Sequence, residues 1–408
     1  MSELKKTGFE ALAKESTLYP QEALVKVKTN KKSFFLGLPK EISLQENRIT
    51  LTPEAVALLV INGHQIRVES GAGLKSKFTD NEYSEAGAEI VDSAKEVYDS
   101  SIILKIEPPT DKEIELLKPG KTLISALQIG DKDATYMKNL LSKGITAIGF
   151  EYLEDKVGGF PIIRAMSEIA GSTSIQIAAE YLSSVKGGRG TILGGISGVP
   201  PTKVVILGAG TVAEYAARAA GGMGAEVRIF DNHIYKLRRI KHVLGQLVYT
   251  STIDTVVLAE TLKTCDVLIG AIRSEKGKNR IIISEEMVMG MKPDSIIIDI
   301  SIDQGGCVET SKMTTLKDPI YRLHDVIHYC VPNIASRVAR TATTALSNIF
   351  TPTILRAGET GGLDEMIFGH YWFMKGVYAY KGSLTNEHIA EKFAIKYKDL
   401  NLLMAARF

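Results

Sequence analysis

Residues 203–220 read KVVILGAGTVAEYAARAA. The apolar run Val204–Leu207 ends at Gly208 and an alanine-rich stretch follows, so Gly208, Gly210 and Ala213 stand in a G-x-G-x-x-A spacing at a strand-to-helix junction. The first glycine allows the tight turn, the second lets a pyrophosphate approach the backbone, and a small third residue lets helix and strand pack closely. The first helical turn then offers unpaired N–H groups to phosphate oxygens. About 20 residues further on, EVRIFD (226–231) ends in Asp231, where an acid hydrogen-bonds a ribose 2′-hydroxyl. An acid there also repels a 2′-phosphate, which favours NAD over NADP; Arg228, Lys236, Arg238 and Arg239 nearby offset part of that preference. Strand, spacing, helix and acid together predict a Rossmann domain that binds NAD.

The same kind of apolar run recurs at DVLIGAI (266–272), SIIIDIS (295–301) and DVIHYC (325–330). Strands apolar on both faces belong to parallel sheets covered by helices on both sides. Upstream, FFLGL (34–38), HQIRVES (64–70), SIILKIE (101–107), TLISALQ (122–128) and TAIGFE (146–151) alternate with helical patterns and predict a second such sheet. The expected architecture is α/β with two domains, each a mainly parallel sheet with helices on both faces. A helical stretch (164–185) and the glycine-rich KGGRGTILGGISGVPP mark the junction. Residues 1–32 read as a charged N-terminal extension, 33–163 plus about 340–369 as the first domain, and 164–339 as the Rossmann domain. Residues 370–408 read as a C-terminal extension whose aromatic residues cover a surface.

At 408 residues the chain exceeds one ordinary core. Its 49 Lys and Arg against 47 Asp and Glu create no net field for nucleic acid or an anionic membrane. Cys265, Cys307 and Cys330 are odd in number, far apart and set in or beside apolar runs, as buried thiols in a reducing compartment are. No ligand spacing suggests a metal. Glu3, Glu10 and Glu15 and the lack of a long apolar core argue against a leader at the N-terminus, and no run approaches about 18 apolar residues. A cytoplasmic protein is expected.

In an open α/β sheet the ligand lies beyond the carboxyl ends of the strands. That rim holds Ile302, Asp303, Gln304 and two glycines after SIIIDIS, and Asn333 after DVIHYC. Together with GLPKEISLQENRITLTPEAV (37–56), GHQIRVESGAG, MSEIAG, GGRG, DISIDQGGCVET and HYCVPN followed by RTATTALSN, these residues resemble the alanine dehydrogenase family, which shares its fold with the NAD-binding subunit of proton-translocating transhydrogenases. The resemblance runs from about residue 35 to about 357. It implies that the first domain takes the substrate, and that the reaction is the reversible oxidative deamination of L-alanine to pyruvate and ammonium, with hydride passing to NAD. It further implies a homo-hexamer. By motif, Arg48 matches the arginine that holds the substrate carboxylate, and Asp303 matches the catalytic aspartate. Ser167, Asp231, Lys236, Ile300, Ile302 and Asn333 match cofactor-binding positions.

Two positions depart from the pattern. The family has a K-x-K pair after the third strand of the first set; here LKIEPP supplies Lys105 but puts Glu107, or with a one-residue slip Ile106, in the second place. The family also has a catalytic histidine where this chain has Gln128, in LQI. An imidazole can exchange a proton near neutrality, whereas a glutamine amide donates a hydrogen bond but cannot titrate. Lys105 and Gln128 are thus expected at the catalytic rim in altered roles. The departures also suit two alternatives: a relative of the transhydrogenase subunit, and a catalytically silent NAD-binding regulatory protein.

Overall fold

The computed structural model describes residues 31–245, 248–273 and 279–405; nearly all of the N-terminal extension lies outside them. Strand pairing sorts the chain into two sheets. The first contains β1 (Phe35–Leu38), β2 (Gln65–Glu69), β3 (Glu89–Val91), β4 (Ile102–Leu104), β5 (Thr122–Ser125) and β6 (Thr146–Gly149), parallel in the order β6-β5-β4-β1-β2-β3. The second contains β7 (Lys203–Leu207), β8 (Glu226–Phe230), β9 (Tyr249–Ser251), β10 (Val267–Gly270), β11 (Ile296–Asp299), β12 (Ile320–Leu323) and β13 (Val326–Tyr329), in the order β12-β13-β11-β10-β7-β8-β9. All its pairings are parallel except that of the hairpin β12–β13.

The continuous apolar runs are explained by where alternate side chains go. From the first sheet, Leu36, Leu38, Ile66, Val68, Ile102, Leu104, Ile124 and Ile148 enter one core, while Ile103, Leu123 and Ala147 enter another on the opposite face. In the second, Val204, Ile206, Val227, Ile229, Ile269 and Ile298 face one core, and Val205, Leu207, Phe230, Leu268 and Ile297 the other. Each such side chain contributes about 1.5–3 kcal/mol of burial, so no strand can tolerate a one-residue slip of register. The three cysteines are free and buried. No helix of the described residues is long and apolar enough to cross a membrane.

Two long helices join the sheets. Pro161–Leu182 starts with proline at its first turn, where the missing N–H costs nothing. It packs on the glycine-motif helix Thr211–Gly222 so closely that a Cβ on Gly171 would collide with the carbonyl oxygen of Val212. Ser167 lies one turn nearer the N-terminus on the same face. The helix Ala339–Glu359 returns to the first sheet, burying Leu346, Phe350, Ile354 and Ala357 in that core.

The stretch expected to be a C-terminal extension is instead part of the first sheet. Val377–Tyr380 forms β14, antiparallel to β6, and Ser383–Leu384 forms β15 at the edge. Its aromatic residues do not merely cover a surface: Phe373 and Tyr378 are among the largest fully buried side chains. Strands β3, β9 and β12 have no counterpart in the sequence reading, because they are short and at least partly exposed.

Candidate active site where the two sheets meet

The glycine motif turns as its spacing requires. Gly208 has φ +103, and a Cβ on it would collide with the carbonyl oxygen of Ala271 at the end of β10. Gly210 caps the following helix, and a Cβ on it would meet nothing within 4 Å. The two glycines differ accordingly: at the first a side chain has no room, and at the second the space over the backbone is open. Ala213 is fully buried beneath them. Asp231, at the end of β8, accepts from the Ala209 N–H at 2.8 Å through one oxygen. Its other oxygen accepts the His233 N–H at 2.7 Å and lies 2.8 Å from His233 Nδ1. Arg239 closes this corner by donating to the Ala209 carbonyl at 3.1 Å and to Glu214 at 2.7 Å; Lys236 lies over the Tyr235 ring. An open cradle, helix N–H groups and a carboxylate at the strand end fit a dinucleotide, which Gly208, Gly210 and Asp231 would hold.

The loop after β11 is a short 3₁₀ turn, Ile300–Gln304. Asp299, almost fully buried, organises it by accepting from the N–H groups of Ser301 (3.1 Å) and Cys307 (2.9 Å) and from Ser311 Oγ (2.8 Å). Ile302 is buried and Asp303 is turned outward. One oxygen of Asp303 accepts the Asn333 N–H at 3.1 Å, and Asn333 itself is left-handed at φ 54.

Arg48 lies on the loop after β1. Its Nε and Nη2 donate to the two oxygens of Glu46 at 2.8 and 2.6 Å, and Nη1 points at the Met166 sulfur at 3.2 Å. Glu46 has no exposed surface. Burial would raise its carboxyl, but the Arg48 charge and hydrogen bonds outweigh that and hold it below the usual range. For Arg48, burial opposes the charged form and Glu46 more than restores it. Glu46 also accepts from Asn333 Nδ2 at 2.8 Å. Arg48 and Asp303 are thereby joined through Glu46 and Asn333, from one sheet to the other.

Lys105 is not free to reach a substrate. Its ammonium is 2.8 and 3.0 Å from the oxygens of Glu113 and 3.7 Å from Glu41, and the residue is 2% exposed. Burial pushes the Glu41 carboxyl up to about 7, against the opposing pull of Lys105. Glu107 is raised by burial and by Glu46. Gln128 is exposed and left-handed at φ 46. Its N–H and that of Leu127 donate to one oxygen of Glu151, at 3.2 and 2.7 Å. The other oxygen of Glu151 is buried without a hydrogen bond, and burial raises this carboxyl.

Sequence reading passed over Glu46, Glu41, Glu151 and Asp299. For Glu46 a signal existed, since an acid two residues from an arginine on an extended segment shares its side. The others show their roles only through partners distant in the chain.

Two family models cover most of the sequence: "Alanine dehydrogenase/PNT, N-terminal domain" matches residues 37–170, and "Alanine dehydrogenase/PNT, C-terminal domain" residues 174–387. The chain belongs to the alanine dehydrogenase/PNT family. Among its relatives, the alanine dehydrogenase of Methanococcus maripaludis is 40% identical over 89% of this chain and 97% of that protein. The alanine dehydrogenase of Bacillus subtilis is 37% identical over 89% and 95%. Of solved structures, an L-alanine dehydrogenase superposes with TM-score 0.81 at 34% identity, covering 87% of this chain and 98% of that one. A transhydrogenase from Sinorhizobium meliloti shares the family fold, with TM-score 0.74 at 21% identity over 86% of this chain and 99% of that one.

Proposed function

We propose that the protein is an NAD-dependent alanine dehydrogenase, a cytoplasmic homo-hexamer that converts L-alanine, NAD⁺ and water to pyruvate, ammonium, NADH and a proton, reversibly. The observation that carries this reading is the hydrogen-bonded line from Arg48 through Glu46 and Asn333 to Asp303, which joins the residues matched to carboxylate binding and to acid–base work. In this reading residues 33–163 and about 340–369 bind substrate and 164–339 bind NAD.

The cofactor supplies a hydride acceptor when bound. Gly208, Gly210 and the first turn of the Thr211–Gly222 helix hold its pyrophosphate, Asp231 its ribose, and Ser167, Lys236, Ile300, Ile302 and Asn333 complete the site. Arg48 holds the substrate carboxylate with the guanidinium edge that Glu46 leaves open. Asp303 exchanges protons with the amino group. Gln128 donates a hydrogen bond to the carbonyl oxygen of pyruvate and polarises it without titrating. Lys105, engaged by Glu113 and Glu41, balances the charge of the acids around it.

Reductive amination tests the reading. Pyruvate, ammonium and NADH should yield L-alanine, with NADPH much poorer; equal turnover with both reduced cofactors would remove the role given to Asp231.

A further inference from the structure

The Arg48 guanidinium is a largely buried cation that a single carboxylate, Glu46, grips. Glu46 takes three donors from Arg48: Nε at 2.8 Å, Nη2 at 2.6 Å and the main-chain N–H at 2.9 Å. A guanidinium grips carboxylates two N–H groups at a time. With the Nε edge spent on Glu46, the end-on edge formed by Nη1 and Nη2 remains. Among the described residues, Nη1 meets the thioether of Met166 at 3.2 Å, a weak acceptor that a carboxylate readily outcompetes. The same carboxylate is also the point where the two sheets are tied. Asn333 Nδ2 donates to it at 2.8 Å, Ser336 Oγ lies 3.4 Å away, and Ser336 Oγ in turn accepts the Asn47 N–H at 2.8 Å. Through its own N–H, Asn333 holds Asp303 at 3.1 Å.

Resting on the alanine dehydrogenase reading, we infer that Glu46 is a positioning residue that turns the end-on edge of Arg48 toward the substrate carboxylate and, through Asn333, fixes the Asp303 loop relative to it. One carboxylate from the first sheet thereby registers the substrate grip of one domain against the acid–base loop of the other. Glu46 is fully buried, and its effect passes through its neighbours.

The test is Glu46→Gln, assayed in full-length protein with pyruvate, ammonium and NADH. An amide of the same shape keeps one acceptor but turns an NH₂ group toward Arg48 or Asn333, setting donor against donor. KM for pyruvate should rise about 10- to 100-fold, and kcat at saturating pyruvate should fall by a similar factor as the Asp303 loop loosens. A purely structural role would leave fewer active molecules, lowering kcat with KM unmoved; that outcome, or wild-type values for both, overturns the inference. KM alone rising overturns the link to Asp303. A second variant, Glu46→Asp, keeps the charge and, if it folds when glutamine does not, should show the same rise in KM because its shorter arm releases Arg48. Failure of the wild-type protein itself to turn over pyruvate would instead reject the underlying reading.

Discussion

Two glycines of one motif should respond to the same small change in opposite ways. In Gly208→Ala the new methyl must adopt φ +103 and enter the carbonyl of Ala271, which belongs to the backbone at the end of β10 and cannot yield. Backbone strain of this kind costs roughly 1–3 kcal/mol, and overpacking adds a similar amount, so a loss of about 2–6 kcal/mol is expected. In Gly210→Ala the methyl meets nothing within 4 Å, and its helix cap has φ −84, which any residue adopts. The fold should be unchanged or slightly more stable, because alanine has less freedom to lose on folding. The methyl stands, however, where pyrophosphate would approach the backbone. Losing one charge-assisted hydrogen bond costs about 1.5–3 kcal/mol, or roughly 10- to 150-fold in Kd for NAD. Urea unfolding followed by circular dichroism measures the first variant, and calorimetric titration with NAD the second. Wild-type affinity in Gly210→Ala would place the cofactor elsewhere, and wild-type stability in Gly208→Ala would refute the packing argument at β10.

Arg48→Met strands the fully buried Glu46 without its cation and should cost about 3–5 kcal/mol of stability; adding Glu46→Leu should recover most of it, and a double variant as weak as the single would show that the pair is not the cause. Gln128→His restores a titrating group at a left-handed position that histidine tolerates, and kcat with L-alanine should rise by about 10²-fold or more, a flat response meaning that protons travel by another route. The Glu41 carboxyl is pushed from 4.5 up to about 7 by burial, so the folded state binds its proton more tightly than the unfolded chain does. That contribution to stability is full below the unfolded value and is lost as pH rises through 7, amounting to about 3 kcal/mol. Glu41→Gln, which mimics the protonated form, should therefore gain stability on the wild type between pH 5 and 8 in urea titrations; parallel curves would show that Glu41 is ionised throughout.

The second sheet was legible in the sequence because its central strands are covered on both faces. Val204–Leu207 and Ile296–Ile298 had to be apolar at every position, and the glycine motif marked the turn between strand and helix. Strand β9, at the edge, has exposed Tyr249 and carries no such run. The tail is not legible in the sequence because β14 gains its meaning only from β6, far back in the chain, and its aromatic residues read as a local cluster. In the site, spacing sufficed for Gly208, Gly210 and Asp231, which act within one strand–helix–strand unit. Spacing does not place Lys105, whose residue type suggests a substrate contact although Glu113 and Glu41 hold it. Glu46 and Asn333 lie 287 residues apart, and no local pattern links them.

The central claim is tested most directly by mixing the purified protein with NAD and L-alanine and following the nicotinamide absorbance while assaying the products. The expected result is NADH, pyruvate and ammonium in equal amounts, with the reverse reaction consuming all three. NAD binding without turnover of alanine or pyruvate in either direction would contradict it.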